Sequence, residues 1–250
     1  MKKIIATIIF SLHIYLQAQI VTDRPDFTES AMAVPKGSYQ LESGMARTSS
    51  NARNTGLDWS MPNVLLRRGL SDKLELRMFL DNSISRQNME INSNISGVNN
   101  LELGFKYAFM GKDNPNQFGI LGHWFIPTDD FSTSYYYDNF LLGFLASNTL
   151  SKHWSVGYNL VYQKRNLSED IGFATVSLVD AINAKWSFFT EYKGEIDFNS
   201  YWKSSIHLGF TYLLDENLQI DFSYATSSDE VGLRTNYLSS GVSFLILPKK

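Results

Sequence analysis

From Tyr39 to the end of the chain, bulky apolar side chains alternate with small or polar ones, and this two-residue period recurs in about ten separate segments. In the stretch from Asn100 to Phe109, Leu101, Leu103, Phe105, Tyr107 and Phe109 share one face, opposite Glu102, Gly104, Lys106 and Ala108. Trp154, Val156, Tyr158, Leu160 and Tyr162 repeat the arrangement, as do Ile206 to Tyr212 and Leu218 to Tyr224. Only strands present side chains with this period, because successive Cβ atoms point to opposite faces of a sheet. A soluble sandwich or lipocalin also alternates, with its apolar face turned inward. Here that face carries aromatics near strand ends (Trp154, Tyr162, Tyr212, Tyr224), which suits the interfacial girdles of a membrane barrel.

The connections point the same way. Short turns at 71–73, 111–116, 151–153, 180–184 and 215–217 alternate with longer polar stretches at 49–56, 81–99, 127–137, 164–170, 194–200 and 226–234. A bacterial barrel shows this asymmetry between its periplasmic turns and extracellular loops. The count predicts an all-β, antiparallel transmembrane β-barrel of about twelve strands, each roughly ten residues long. The predicted strands are Ser38–Thr48, Leu57–Leu70, Lys73–Leu80, Asn100–Met110, Gln117–Ile126, Asp138–Leu150, Trp154–Gln163, Ile171–Val179, Lys185–Lys193, Tyr201–Leu214, Leu218–Ala225 and Thr235–Leu247. Residues 182–191 are the least regular part of the pattern.

The first residues read as an export signal. Lys2 and Lys3 precede a 13-residue apolar stretch, Ile4 to Leu16, which is too short for a span of about 20 residues. Cleavage is expected after Ala18, giving a signal peptide over 1–18, an N-terminal periplasmic or plug segment over 19–37 and a barrel over 38–250. The chain has no cysteine, which excludes disulfides, thiolate metal sites and a lipoprotein anchor. Its net charge of −3 lacks the basic excess of a nucleic-acid binder. The mean hydropathy of −0.18 is compatible with a barrel, since only alternate residues of each strand meet lipid. The expected partners are outer-membrane lipid, the barrel assembly machinery and a small-molecule solute of unknown identity, with the cell outer membrane as the location.

If Leu74, Leu76 and Met78 face lipid, Glu75 and Arg77 face the interior, with Glu102 and Lys106 on the next strand. Arg67 joins them if Val64 and Leu66 point outward. The opposite register would place Arg or Lys in hydrocarbon at about 2–4 kcal/mol each near the midplane. This charged ladder either polarises a constriction or neutralises itself while filling a narrow lumen. Ahead of the first strand, Asp23, Arg24, Asp26 and Glu29 lie in a polar segment punctuated by Pro25 and Pro35. That segment folds into the periplasmic mouth, with Arg24 paired to a lumen carboxylate, or remains a periplasmic tail.

No catalytic, metal or cofactor motif is present, and none of these functions is expected. Of the four histidines, His13 falls in the signal, His153 in a turn, and His123 and His207 within strands. A lipid hydrolase assembled across strands around His123 or His207 is the enzyme alternative. A structural or surface barrel without transport is the other.

The stretch Thr22-Asp23-Arg24-Pro25-Asp26-Phe27-Thr28-Glu29-Ser30 and the block Val34 to Gly44 resemble the opening of a family of outer-membrane barrels. The family is named for the MetA-pathway of phenol degradation. Pro62 to Arg77 and Gly241 to Phe244 extend the resemblance over nearly the whole mature chain. It implies a transporter-like barrel, distantly related to fatty-acid and aromatic-hydrocarbon channels, that passes small hydrophobic or aromatic molecules. One departure is the ending Leu247-Pro248-Lys249-Lys250 in place of a terminal aromatic residue: either Phe244 or Leu247 serves as the assembly signal, or the extension is tolerated.

Overall fold

The computed structural model describes residues 20–51, 57–88, 92–126, 138–166, 169–199 and 201–248. The expected signal peptide, and the expected loop at 127–137, lie outside them. Twelve strands form: β1 (Tyr39–Ser50), β2 (Leu57–Gly69), β3 (Leu74–Asn88), β4 (Asn92–Ala108), β5 (Asn116–Ile126), β6 (Asp138–Thr149), β7 (Trp154–Arg165), β8 (Ile171–Ala181), β9 (Trp186–Asp197), β10 (Trp202–Asp215), β11 (Leu218–Asp229) and β12 (Arg234–Ile246). Each pairs antiparallel with its sequence neighbours, and β1 pairs with β12 from Tyr39↔Ile246 to Ser50↔Thr235, closing the barrel. Closure removes the sheet edge, so strand backbone groups in hydrocarbon have partners.

The alternation sets which face meets which medium. Along β3, Leu76 (48% exposed) and Met78 (40%) point outward, whereas Glu75 (0%) and Arg77 (4%) are enclosed. Leu103 and Phe105 lie outside on β4, with Glu102 and Lys106 inside, and Leu208, Phe222 and Val242 continue the outer belt. A continuous apolar exterior around a polar interior is the inverse of a water-soluble protein, and hydrocarbon is the solvent it requires. Ring contacts run along the exterior from Trp124 to Phe140, Tyr162 and Phe198, with centroids 6.1–6.3 Å apart. At the rim where β1 begins and β12 ends, Trp186 packs on Phe210 and Tyr212. These are the two aromatic belts expected from the strand-end positions.

The strict alternation of short and long connections does not hold. Connections at the terminal rim span 70–73, 109–115, 150–153, 182–185 and 216–217, and those at the opposite rim 51–56, 89–91, 127–137, 166–170, 198–201 and 230–233. The polar stretch 81–99 is mostly hairpin, since β3 and β4 pair from Asp81↔Asn100 out to Asn88↔Asn92. Residues 194–197 and 226–229 are likewise strand, and of the least regular stretch, 182–191, residues 186–191 belong to a regular β9. Polarity there marks strands that continue beyond the apolar belt into water, where both faces can be polar, so composition alone mimicked loops. Pro62 sits where the β2–β3 register shifts between Ser60 and Asn63, an irregularity that tolerates its missing N–H.

Residues 20–34 form no strand and lie within the barrel. Ile20, Ala31 and Val34 are buried, and Ala31 packs against Leu121 and Leu145 of β5 and β6. Lacking a ladder of its own, the segment is held chiefly by interior side chains, which set the geometry of the site.

Candidate functional site in the barrel lumen

Asp23 is the hub. Its carboxylate accepts hydrogen bonds at 2.8 Å from Lys106 Nζ, to both oxygens, and from Arg77 Nη1, while Arg67 Nη1 lies 3.2 Å away. Burial alone would push the Asp23 carboxyl up, but the charges of Arg67, Lys106 and Arg77 outweigh it and hold the group far below the usual carboxylate range. Arg67 grips Glu75 bidentately, Nε to Oε1 at 2.9 Å and Nη2 to Oε2 at 3.0 Å, and donates to Glu42 at 3.0 Å. Glu42 in turn accepts the backbone N–H groups of Asp23 and Arg24, both at 3.0 Å, and Glu75 that of Val34 at 2.7 Å. Glu29 sits 2.7 Å from Arg77. Buried ions survive desolvation when their charges have close partners and further hydrogen bonds, as nearly all of these do, Arg77 Nε being buried without a hydrogen-bond partner.

Arg24 points to the other side of the lumen. It donates to Asp221 of β11, to Asn63 at 2.8 Å and to the Ser239 hydroxyl at 2.9 Å. Its guanidinium lies where Gly44 and Gly241 face each other across the β1–β12 pairing, and a Cβ at either glycine would stand within about 2.6 Å of it. The next residues reach β8 and β9. Ser177 donates to Asp26 at 3.2 Å, Phe27 N donates to Glu191 at 2.8 Å, and the Thr28 hydroxyl donates to Glu191 while accepting from the Thr175 hydroxyl at 2.7 Å. Burial, then the neighbouring Glu191, pushes the Asp26 carboxyl well above its ordinary range.

Of the predicted residues, Asp23, Glu29, Arg67, Glu75, Arg77 and Lys106 thus form one network, and Arg24 pairs with a lumen carboxylate. Glu102 stands apart: it faces the interior, but its partners are His123 and Asn100. Glu42, Asp221 and Glu191 were not singled out from sequence. Each occupies the polar face of its strand, so alternation marks them as interior, while their pairing with residues 23–28 depends on contacts across the barrel.

The two interior histidines each bond a carboxylate through Nδ1, His123 to Glu102 and His207 to Glu191 at 2.9 Å. That is half of a hydrolytic triad. Among the described residues no hydroxyl meets the other ring nitrogen, Nε2 being buried without a hydrogen-bond partner in both. Two of the cavities among the described residues bear on the lumen. One of about 250 Å³ lies beside the network, between Leu65, Phe79, Leu121, Leu141 and His123. The other, about 300 Å³, opens near the rim opposite the termini, among Ile171, Glu195, Tyr201, Lys203 and Thr235.

Comparison with known proteins bears on this arrangement. Residues 22–243 match the family described as "Putative MetA-pathway of phenol degradation", a match that begins at the interior segment and ends in the last strand. The chain belongs to this family. Among solved structures, an outer membrane channel from Pseudomonas putida F1 superposes with a TM-score of 0.65 at 12% identity, over 86% of this chain and 98% of that one. The NanC porin gives 0.58 at 14% identity over 82% and 98%, and the CymD monoaromatic hydrocarbon channel 0.51 at 11% over 87% and 90%. At these identities the likeness establishes the fold. No curated protein matches the sequence.

Proposed function

We propose that this family member is a passive outer-membrane channel for small hydrophobic or aromatic molecules, with residues 19–37 serving as its plug. In this reading residues 1–18 direct export and are removed, and the rim carrying the termini faces the periplasm. The observation that carries the proposal is a closed wall, apolar outside and polar inside, whose interior is crossed by a segment held mainly by side-chain acceptors and donors. Such a segment can shift without breaking any strand pairing. The charges of the knot are mutually satisfied and leave little net field, so the network acts as a seat for the segment in preference to an ion filter. Support for the solute class comes from the family's description and from the CymD channel, whose name specifies monoaromatic hydrocarbons. The barrel interior also carries aromatic side chains, Phe173, Phe189 and Tyr237.

Planar-bilayer recordings of the purified protein test the reading, paired with uptake of labelled aromatic solute by wild-type and deletion cells. Conductance that responds to aromatic solutes, with slower uptake in the deletion, is the expected result. Silence in the bilayer and equal uptake would overturn it in favour of a structural barrel.

A further inference from the structure

Phe27 is a single apolar ring in a run of polar and charged residues, Thr22 to Glu29, and its surroundings are not those of a hydrocarbon core. Its ring lies 4.4 Å from that of His207, tilted by 32°, and 5.9 Å from that of Tyr237. Lys193 Nζ stands 5.5 Å from its centroid. Phe189 meets the same imidazole edge-on at 5.0 Å. An imidazole, a phenol ring and an ammonium group around one benzene ring favour a π-face, whereas a saturated group gains no such contacts. The slot is also built with care. Glu191 accepts from Phe27 N and from the Thr28 hydroxyl while bonding His207 Nδ1, so one carboxylate positions both the ring and the platform beneath it. The His207 Nε2 atom remains buried and unpartnered, a polar group available to a ring that bears a hydroxyl.

Neighbouring side chains run from the slot toward the far rim. Lys193 Nζ lies 4.2 Å from the Phe173 ring, and Phe173 pairs in register with Glu195, which lines the 300 Å³ cavity at that end. Phe27 itself is only half-buried, so its ring is not sealed in.

We propose that this slot is the lumen's binding site for a monocyclic aromatic solute, and that Phe27 is a tethered competitor which the solute must displace. The inference rests on the channel reading and adds to it a site, a ligand class and a trigger: an arriving ring takes the place of Phe27, and the tip of the segment is released.

The test uses the full mature chain in amphipol, with 4-fluorophenylalanine at position 27 and phenol as the probe. Phenol is expected to shift the fluorine resonance saturably toward its solvent-exposed position, and cyclohexanol, of similar size without a π-face, is expected not to. Phenol binding by calorimetry should tighten about fivefold in Phe27→Ala, the equivalent of one aromatic contact no longer competing. Adding His207→Ala should abolish that gain, although it only enlarges the hole. A fluorine signal that stays put at saturating phenol, or moves equally with cyclohexanol, overturns the proposal. So does a gain that survives loss of His207, which would mark an ordinary engineered cavity. If Phe27→Ala fails to fold, the fluorine experiment on the unaltered backbone decides alone. Uptake by cells is read separately: displacement without uptake would count against transport and for the slot, and uptake without displacement the reverse.

Discussion

The two walls of the lumen hold the same segment by different means. On β1 to β4 the interior is ionic, with Glu42, Arg67, Glu75, Arg77, Glu102 and Lys106 all buried. On β8 to β12 it is mainly hydroxyl and amide, with Thr175, Ser177, Ser187, Gln219, Ser223, Ser239 and Ser243, broken by Glu191, His207 and Asp221. Asp23 is fixed on the first wall by three cations, whereas Phe27 and Thr28 are held on the second through Glu191 and Thr175. Removing a member of a buried ionic array strands the rest, while a hydroxyl wall loses one modest bond at a time. The segment therefore has firm anchors at Asp23, Glu29 and Val34 and a releasable middle at residues 26–28.

The sharpest way to break this contrast is Asp23→Ala. Arg67, Arg77 and Lys106 would lose their shared partner, and unfolding in detergent should show a loss of about 3–5 kcal/mol, together with larger bilayer conductance. A loss no greater than that of a hydroxyl substitution would mean the walls are equivalent. Glu191→Gln comes next, weakening the hold on Phe27 N, the Thr28 hydroxyl and His207 together. A cost of about 1–3 kcal/mol is expected, with faster amide exchange at 26–28 but not at 23.

Acidity should separate the anchor at Asp23 from the loop tip at Asp26. The folded Asp23 carboxyl lies below its unfolded value, so its contribution is present above the ordinary carboxylate range and is lost only as pH falls toward that depressed value. The folded Asp26 carboxyl lies above its unfolded value, so its contribution is full at low pH and is lost as pH rises from the ordinary aspartate range through the raised one. Hydrogen exchange corrected for intrinsic rates should show the tip loosening with rising pH while the anchor stays protected, and Asp26→Asn should flatten the tip's response. The smallest effect is expected outside the lumen: Lys164→Ala, which removes the exposed pair with Asp170 at 3.1 Å, should leave the unfolding midpoint unchanged within error.

Much of this architecture was readable beforehand because a barrel writes its two solvents into alternate residues. Leu74, Leu76 and Met78 fixed the inward direction of Glu75 and Arg77 by register alone, and the same rule oriented Glu102 and Lys106. The extent of β3 and β4 was not readable, since beyond the lipid both faces of a hairpin can be polar and resemble a loop. Partnership was hidden for a different reason. Glu102 and Lys106 share a strand and a face, yet one meets His123 and the other Asp23, a choice made by a segment whose position no periodicity encodes.

The seat of Arg24 has a bearing on how the molecule is made. Its partners come from β2, β11 and β12, and the glycine gap that admits it straddles the place where the first strand meets the last. Before those strands join, this receptor does not exist. Docking of the arginine is thus a late event in biogenesis, and once in place it works as a rivet through the final seam of the wall.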